Sequence, residues 1–260
     1  MTRTWMSVTL ALAGVALSLP AGAQTIDSRV ARVRDGTVRM SFASRADVCG
    51  NGAGNISTRS GRTGIVSSRR DEWEDECEHG PVRVAMDIAE GHVVAIRAYV
   101  GGRWRAAGDA IDLGTVGVRE ATDYLLGAVV RGGGKGARDA IFPATIADSV
   151  TTWPRLLAIA RNDDVERAVR TQAVFWVSQA AGDKVAAGLR DVADDVKMDR
   201  EVRKQAVFAI SQRHDEGVPL LIDIAKSSND PEVRRSAVFW LGQSRDKRAL
   251  DYFESVLTKP

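Results

Sequence analysis

The C-terminal half of the chain repeats one pattern of apolar and polar positions. Three segments share valine, arginine, alanine, valine and phenylalanine at the same places, and they are residues 169–176, 202–209 and 233–240. Their phenylalanines are spaced by 33 and 31 residues, and a step of 33 back from Phe175 reaches Phe142 in a degenerate fourth copy. A fixed period of this length predicts a stacked repeat array. Such arrays commonly provide extended binding surfaces, which favours a scaffold over an enzyme.

A second apolar segment follows each copy with the same period. Its leading residues are separated by 33, 32 and 32 positions, and they are Leu156, Leu189, Leu221 and Phe253. Further apolar residues follow three and four positions later, which places them on one face of a helix. Each unit is therefore predicted to be a helical hairpin, and stacking is expected because a lone hairpin cannot bury its apolar stripe.

The start of one repeat carries recognisable helix-start signals. Asp230 and Pro231 read as an N-cap followed by a proline in the first turn, and Asp199 takes the same place one repeat earlier. The run Asp-Pro-Glu-Val-Arg-x-x-Ala at 230–237, the Leu-Gly pair at 241–242 and the period of about 32 resemble HEAT repeats. The short bacterial type, also called phycobilisome-lyase-like, is the most similar.

The resemblance covers residues 136–260 and implies a solenoid of about four antiparallel helix pairs, with the second helices lining the concave face. It also implies a stabilising role for the arginine of each copy, which is Arg170, Arg203 or Arg234. The first copy departs from the pattern. Ala137 replaces the arginine, and Pro143 is expected to break or kink the first helix. Residues 136–149 with 153–162 are therefore interpreted as a distorted N-terminal repeat.

The N-terminus reads as a secretory signal peptide. Arg3 precedes an apolar stretch at 6–19, and Ala-Gly-Ala at 21–23 is a cleavage signal, so the mature chain is expected to begin at Gln24. The alternative, a membrane anchor, is disfavoured because a span needs about 20 apolar residues. No other segment reads as a span. The protein is therefore expected to be exported, either periplasmic or extracellular.

The sequence pattern of residues 24–115 predicts a small antiparallel β module of three or four strands. Alternating residues at 38–42 and 82–88, with a second run at 92–100, predict strands that include one hairpin. A third strand is expected around Trp104. Residues 116–135 are predicted to hold a capping helix (118–131) that partly covers the module, and a glycine-rich linker to the repeats. The predicted fold class is α+β, a β module followed by an all-α solenoid.

Both cysteines, Cys49 and Cys77, lie in the β module. In an exported protein they predict one disulfide. A metal site that also uses His79 and His92 is the alternative, but it lacks the paired C-x-x-C spacing of structural zinc sites. The acidic stretch 71–78 is interpreted as a solvated loop, with cation binding as the alternative. The glycine-rich stretches at 50–54 and 132–136 lack nucleotide-binding spacing, and no cofactor is predicted.

Charge and surface pattern favour a protein partner. The chain has 36 basic and 34 acidic residues, which argues against a nucleic-acid surface. Polar positions of mixed sign on the second helices suit a protein or peptide partner, and these candidate residues are Arg155, Arg161, Lys184, Arg190, Asp191, Asp223, Lys226, Arg248 and Asp251. The repeated phenylalanines are expected in the core, with Trp176 and Trp240 at the seams between repeats.

The predicted function is an exported, non-enzymatic interaction scaffold. Two alternatives stay open. The resemblance to phycobilisome-lyase-type repeats implies a lyase-like enzyme or accessory, whereas the extra β module would suit an envelope sensor that binds a ligand and relays through the solenoid. Fold resemblance alone does not decide between them.

Overall fold

A computed structural model describes residues 25–53, 55–58, 77–104, 106, 108–180 and 183–258. The predicted signal peptide and residues 71–76 of the acidic stretch lie outside the described residues. The N-terminal part is a β module and the C-terminal part is a stack of helical hairpins, as the sequence predicts.

The described part of the β module contains one short helix and six strands. They are α1 (Ile26–Val30), β1 (Gly36–Phe42), β2 (Val48–Gly50), β3 (Ile56–Thr58), β4 (Val82–Ala89), β5 (His92–Tyr99) and β6 (Ile111–Thr115). One sheet has the order β5-β4-β1-β6, and β2 pairs with β3 separately. The predicted hairpin is the antiparallel pair β4–β5. However, β6 runs parallel to β1, so the sheet is mixed and not purely antiparallel.

The expected strand around Trp104 is not formed. Trp104 lies in an irregular segment after β5, where its ring packs edge-on against Tyr99 at 5.9 Å and the Arg39 guanidinium lies 4.9 Å from its centroid. The remaining strand of the sheet is β6 instead. Buried and exposed residues hardly alternate along β6, because only Leu113 is buried and Gly114 takes a positive φ.

The glycine-rich stretch 50–54 has a structural role. A Cβ atom on Gly50 would lie 2.5 Å from the Val100 carbonyl oxygen, and one on Gly101 would lie 2.3 Å from the Gly50 oxygen. Only glycine allows these two backbone segments to cross so closely. Beside this crossing, Cys49 and Cys77 form a disulfide with a Cα–Cα distance of 5.3 Å. Among the described residues, no group of three His, Cys, Asp or Glu side chains is placed to hold a metal ion.

The helical part contains nine helices in the described residues. They are α2 (Val118–Arg131), α3 (Gly134–Thr145), α4 (Trp153–Ala160), α5 (Arg167–Ser178), α6 (Asp183–Asp194), α7 (Arg200–Ser211), α8 (His214–Ser227), α9 (Pro231–Gln243) and α10 (Lys247–Leu257). The last eight form four hairpins. The first helices α3, α5, α7 and α9 stack in one layer, and α2, α4, α6, α8 and α10 stack in a second.

Buried residues that recur with the repeat period hold the two layers together. Ala140, Ala173, Ala206 and Ala237 are fully buried on the first helices, and Leu156, Leu189 and Leu221 are buried on the second helices. These aliphatic residues join one continuous core that also includes the sheet. The hairpins therefore depend on their neighbours to cover their apolar faces.

The β module takes the place of a preceding first helix. α2 packs on α3 as α4 packs on α5, and β5 packs on the other side of α3. A Cβ atom on Gly136 would lie 2.5 Å from the Val93 carbonyl oxygen, so glycine is needed for this close approach. The expected linker is therefore shorter than predicted. Only Gly132 and Gly133 separate α2 from α3, and Gly134 to Gly136 belong to the first turn of α3.

Pro143 does not break the first helix as the sequence led us to expect. α3 continues to Thr145, three residues beyond Phe142, just as α5 and α7 end three residues beyond their phenylalanines. The proline lies in the last turn, so few backbone hydrogen bonds remain to be lost. The hydroxyl of Thr145 also donates to the Phe142 carbonyl at 2.7 Å, as serines do in the next two repeats.

The repeat arginines tie helix ends together. Arg203 is 4% exposed; its Nε donates to the Ala193 carbonyl at 3.0 Å and its Nη1 to Asp230 Oδ2 at 2.6 Å. It therefore joins the end of α6 to the N-cap of α9 across one repeat. Arg234 Nη1 donates to the Ser228 carbonyl at 2.6 Å. Backbone donation from Glu232, helped by Arg203, lowers the pKa of Asp230.

The repeated phenylalanines are less buried than expected. Phe142, Phe175 and Phe208 are half-buried and Phe239 is 56% exposed, because the preceding valine of each inner copy faces the core instead. Trp176 and Trp240 do lie at the seams. Their rings pack against Phe142 and Phe208 of the preceding first helix, with centroids 5.2 and 4.8 Å apart.

One pair of identical substitutions tests the stacked core. Leu189 is fully buried in α6 and Leu257 is 84% exposed at the end of α10. We expect Leu189→Ala to lower the free energy of unfolding by about 2–5 kcal/mol because it leaves a cavity. Leu257→Ala should change it by less than about 0.5 kcal/mol. Urea unfolding measures both values, and equal losses would contradict the stacked arrangement.

Candidate functional site

The candidate residues lie along the second-helix layer, where ion pairs connect α2 to α4, α4 to α6 and α6 to α8. Arg155 of α4 pairs with Asp123 of α2. Arg161, at the end of α4, lies 3.6 Å from Asp191 of α6. We refer to this row of pairs, continued through α8 and α10, as the second-helix ladder.

Arg190 is the most connected member of the second-helix ladder. Its guanidinium pairs with Asp194 on its own helix and with Asp223 on α8, and its Nη2 donates to Ser227 Oγ at 2.9 Å. The side chain is 19% exposed, whereas that of Asp223 is 61% exposed. Burial acts to lower the pKa of Arg190, but the hydrogen bonds to the two aspartates outweigh it and raise the pKa. The arginine is therefore a fixed cation between two helices.

The ladder continues from α8 to α10. Arg248 Nη1 donates to the Asp215 carbonyl of α8 at 3.1 Å, and its Nη2 donates to Asp246 at 2.7 Å. Lys226 of α8 lies over the Tyr252 ring, 5.6 Å from its centroid. These contacts hold the last second helix against the one before it.

The carboxylates of Asp246 and Asp251 both find their partners at the start of α10. Asp246 is the N-cap and accepts from the Arg248 backbone N–H at 2.8 Å. Hydrogen bonds from the Arg248 side chain and backbone lower the pKa of Asp246 to about 2. Asp251 pairs with Lys247 at 2.6 Å, one helical turn away. The start of α10 thus carries fixed charges of both signs.

Lys184 differs from the other candidates. It is exposed near the start of α6 and makes no ion pair with the described side chains. The structure therefore brings seven of the other candidates into contacts between neighbouring helices, whereas Asp251 pairs within its own helix and Lys184 has no ion pair among the described side chains.

Sequence reasoning missed several partners of the second-helix ladder. Asp123 was overlooked because α2 was interpreted as a cap outside the repeats, although Asp123 precedes Arg155 by 32 residues. Asp194 was also missed, although it follows Arg190 by four residues on one helix face. Both spacings were visible in the sequence once α2 is counted as a second helix.

The ladder presents almost balanced charge. Six basic candidates face the three acidic candidates together with Asp123 and Asp194. Because most cations are paired with a carboxylate a few ångströms away, their fields largely cancel at a distance. The surface can therefore make specific polar contacts but has little general attraction for a polyanion.

The family model described as HEAT repeats matches residues 186–260. The match begins in α6 and runs through α10, so it includes the ladder from Arg190 to Asp251, whereas Arg155, Arg161 and Lys184 precede it. No curated protein matches the chain. In the described residues, none of the helices combines the length and apolar character needed to cross a bilayer.

Residues 186–260 therefore match HEAT repeats. Such repeats generally mediate protein–protein interaction and are generally a non-enzymatic scaffold type. This agrees with the balanced polar surface of the second helices.

The start of α10 gives a pH prediction. Because the pKa of Asp246 is lowered from 3.8 to about 2, its ionised form is favoured by folding. This contribution to stability is present above about pH 4 and is lost as the pH falls through 2. Carbon-detected NMR should show Asp246 titrating near pH 2, and Arg248→Gln should move the midpoint towards 3.8. A midpoint near 3.8 in the unaltered protein would contradict the cap.

Proposed function

We propose that the protein is an exported, non-enzymatic scaffold whose second-helix ladder binds a protein or peptide partner. The resemblance to HEAT repeats implies that this face is concave. The binding residues would be the nine candidates, with Arg190 and Asp223 at the centre. The observation that carries the proposal is the series of Arg–Asp pairs that joins α2, α4, α6 and α8.

These pairs favour binding because they fix the side chains before a partner arrives. Long arginine side chains normally lose rotamer freedom when an interface forms, at a cost of about 0.5–1.5 kcal/mol each. Arg190, held by three polar groups, has already lost much of that freedom. The exposed carboxylate of Asp223 keeps further acceptor capacity for a partner's donor.

A protein suits this surface better than a nucleic acid. Unpaired Lys and Arg residues that neutralise phosphates supply most of the affinity for nucleic acids. Here Arg155, Arg161 and Arg190 each have an aspartate within 4 Å. A partner that carries both donors and acceptors would match the alternating charges, and a protein or peptide offers both.

Export is supported by two features of the chain. The N-terminal 23 residues have the charge, apolar stretch and Ala-Gly-Ala ending of a cleaved signal. The two cysteines of the chain are joined to each other, and such bonds persist mainly outside reducing compartments. We propose a periplasmic or extracellular location on this basis.

A lyase-like activity is the weaker alternative. Attachment of a group through a protein thiol would require a free cysteine, and both cysteines are used in the disulfide. The scaffold proposal requires no reactive group.

A charge-swap variant tests the binding face while it keeps one opposite-charge pair between α6 and α8, although the Arg190–Asp194 pair is lost. Arg190→Asp combined with Asp223→Arg keeps opposite charges on α6 and α8 but exchanges their positions. The mature protein (from Gln24) is expected to crosslink to a partner in envelope extract. We expect the swap variant to lose this partner, because the exchanged charges no longer match the charges of the partner. The matched control exchanges the exposed pair Lys135–Asp139 on the first-helix layer and should retain the partner.

Two results would contradict the proposed site. Equal capture by both swap variants would place the binding surface elsewhere on the protein. Failure of the unaltered protein to capture any partner, while it is folded by circular dichroism, would remove the support for a scaffold.

The exported state has its own test. Mass spectrometry of protein from the native host should give an N-terminus at Gln24 and a mass lower by two hydrogens, with no thiol reacting before reduction. Reduction should lower the free energy of unfolding by about 3–4 kcal/mol, the loop-entropy value for a loop of this length. An intact N-terminus with two titratable thiols would overturn the export proposal.

A further inference from the structure

A cleft of about 560 Å³ lies where the β module meets the helices, and none of the nine ladder candidates lines it. Its walls come from α1, the start of β5 and the C-terminal end of α2. Volumes of about 300–1,000 Å³ are typical of small-molecule sites. The cleft is therefore large enough for a small ligand.

Three sets of contacts build the cleft. The Ile26 backbone N–H donates to Glu120 Oε1 at 2.8 Å, which fixes α1 on α2. The Glu90 N–H donates to Asp35 Oδ1 at 2.9 Å, which holds the turn between β4 and β5 beside α1. At the rim Arg131 pairs with Asp27 at 2.8 Å. The walls are thus fixed by hydrogen bonds between distant parts of the chain.

A β-bulge directs an apolar side chain to this cleft. In the pairing of β4 with β5, Asp87 lies opposite Ala95 and Ile88 opposite Val93, so Val94 is the extra residue. Val94 is 48% exposed and lines the cleft together with Val30 and Ala128. Bulges often re-aim side chains beside functional sites. The apolar wall would suit the body of a mainly apolar ligand.

Tyr124 supplies the polar group of the cleft. Tyr124 is 4% exposed, and its hydroxyl makes no hydrogen bond to any residue that the structure describes. The hydroxyl is not among the fully buried polar atoms without a partner, so solvent in the cleft reaches it. The Arg131 guanidinium lies 5.8 Å from the centroid of the Tyr124 ring, beside the cleft. Burial raises the pKa of Tyr124 to about 12, so the group stays a neutral donor. A ligand in the cleft can therefore accept a hydrogen bond from this hydroxyl in place of water.

We propose that this cleft binds a small, mainly apolar molecule that accepts one hydrogen bond from the Tyr124 hydroxyl. The ligand's apolar part packs on Val94, Val30 and Ala128. Its acceptor oxygen lies beneath the Arg131–Asp27 pair. Because the charges of this pair cancel, the site has no strong preference for a charged ligand. The site is independent of the scaffold proposal, and either can fail without the other.

Two probes of similar size test the site. Acetophenone carries a carbonyl acceptor, whereas ethylbenzene has the same carbon skeleton without the oxygen. In ¹⁵N-edited NMR titrations of the mature protein, both should saturably shift the amides of Val94 and Ala128. Acetophenone should bind about fivefold more tightly, as expected for one hydrogen bond to an otherwise unpaired group.

Three variants separate the contributions. Tyr124→Phe should abolish the preference for acetophenone while ethylbenzene binding persists. Val94→Glu should weaken both probes at least tenfold. Val196→Glu, at an exposed valine outside the cleft, is the matched control and should change neither. The proposal is overturned if neither probe saturates at the cleft, if shifts occur only around Phe239 and Leu257, or if Tyr124→Phe keeps the preference.

Discussion

The whole structure depends on the burial of each apolar helix face by the neighbouring repeat. Val174 and Val207 are fully buried between repeats, whereas the equivalent Val238 in the last repeat is 40% exposed. This difference in exposure shows that the following repeat buries the valine of each inner repeat. At the opposite end β5 covers α3, so the sheet seals the N-terminal side of the stack, whereas the C-terminal side is exposed in the described residues. Terminal repeats of solenoids normally differ from inner ones for this reason.

Two sets of arginines perform different tasks in the stack, and only the buried set follows the repeat period. Arg203 is buried and binds a helix-end carbonyl and an N-cap aspartate, so it fixes the angle between consecutive helices. Arg190 belongs to the second-helix ladder, and it joins neighbouring helices through carboxylates. The first set makes the stack rigid, and that rigidity keeps the second set in register. The proposed binding surface therefore depends on the fold, since the stacking of the hairpins brings its charged side chains together.

The sequence predicts the repeat period, the hairpins, the disulfide and most members of the ladder, because each of these rests on spacing along the chain. It does not predict which of two adjacent apolar residues faces the core. Val174 and Phe175 are about 100° apart on the helix, and only packing decides that the valine is buried. The parallel strand β6 was missed because a single buried residue leaves no alternation. Tyr124 was not recognised as a site residue, since its missing hydrogen-bond partner is a property of the folded chain.

Native-state hydrogen exchange tests the central claim, that the sheet seals one end of the stack and leaves the other end open. The account predicts that amides of α3 are protected as strongly as those of α5 and α7, because β5 covers α3 on its outer side. Amides of α10 should exchange fastest among the helices, since Val256 and Leu257 are exposed in the part of the chain that the structure describes. Exchange in α3 as fast as in α10 would show that the sheet does not cap the solenoid and would contradict the account.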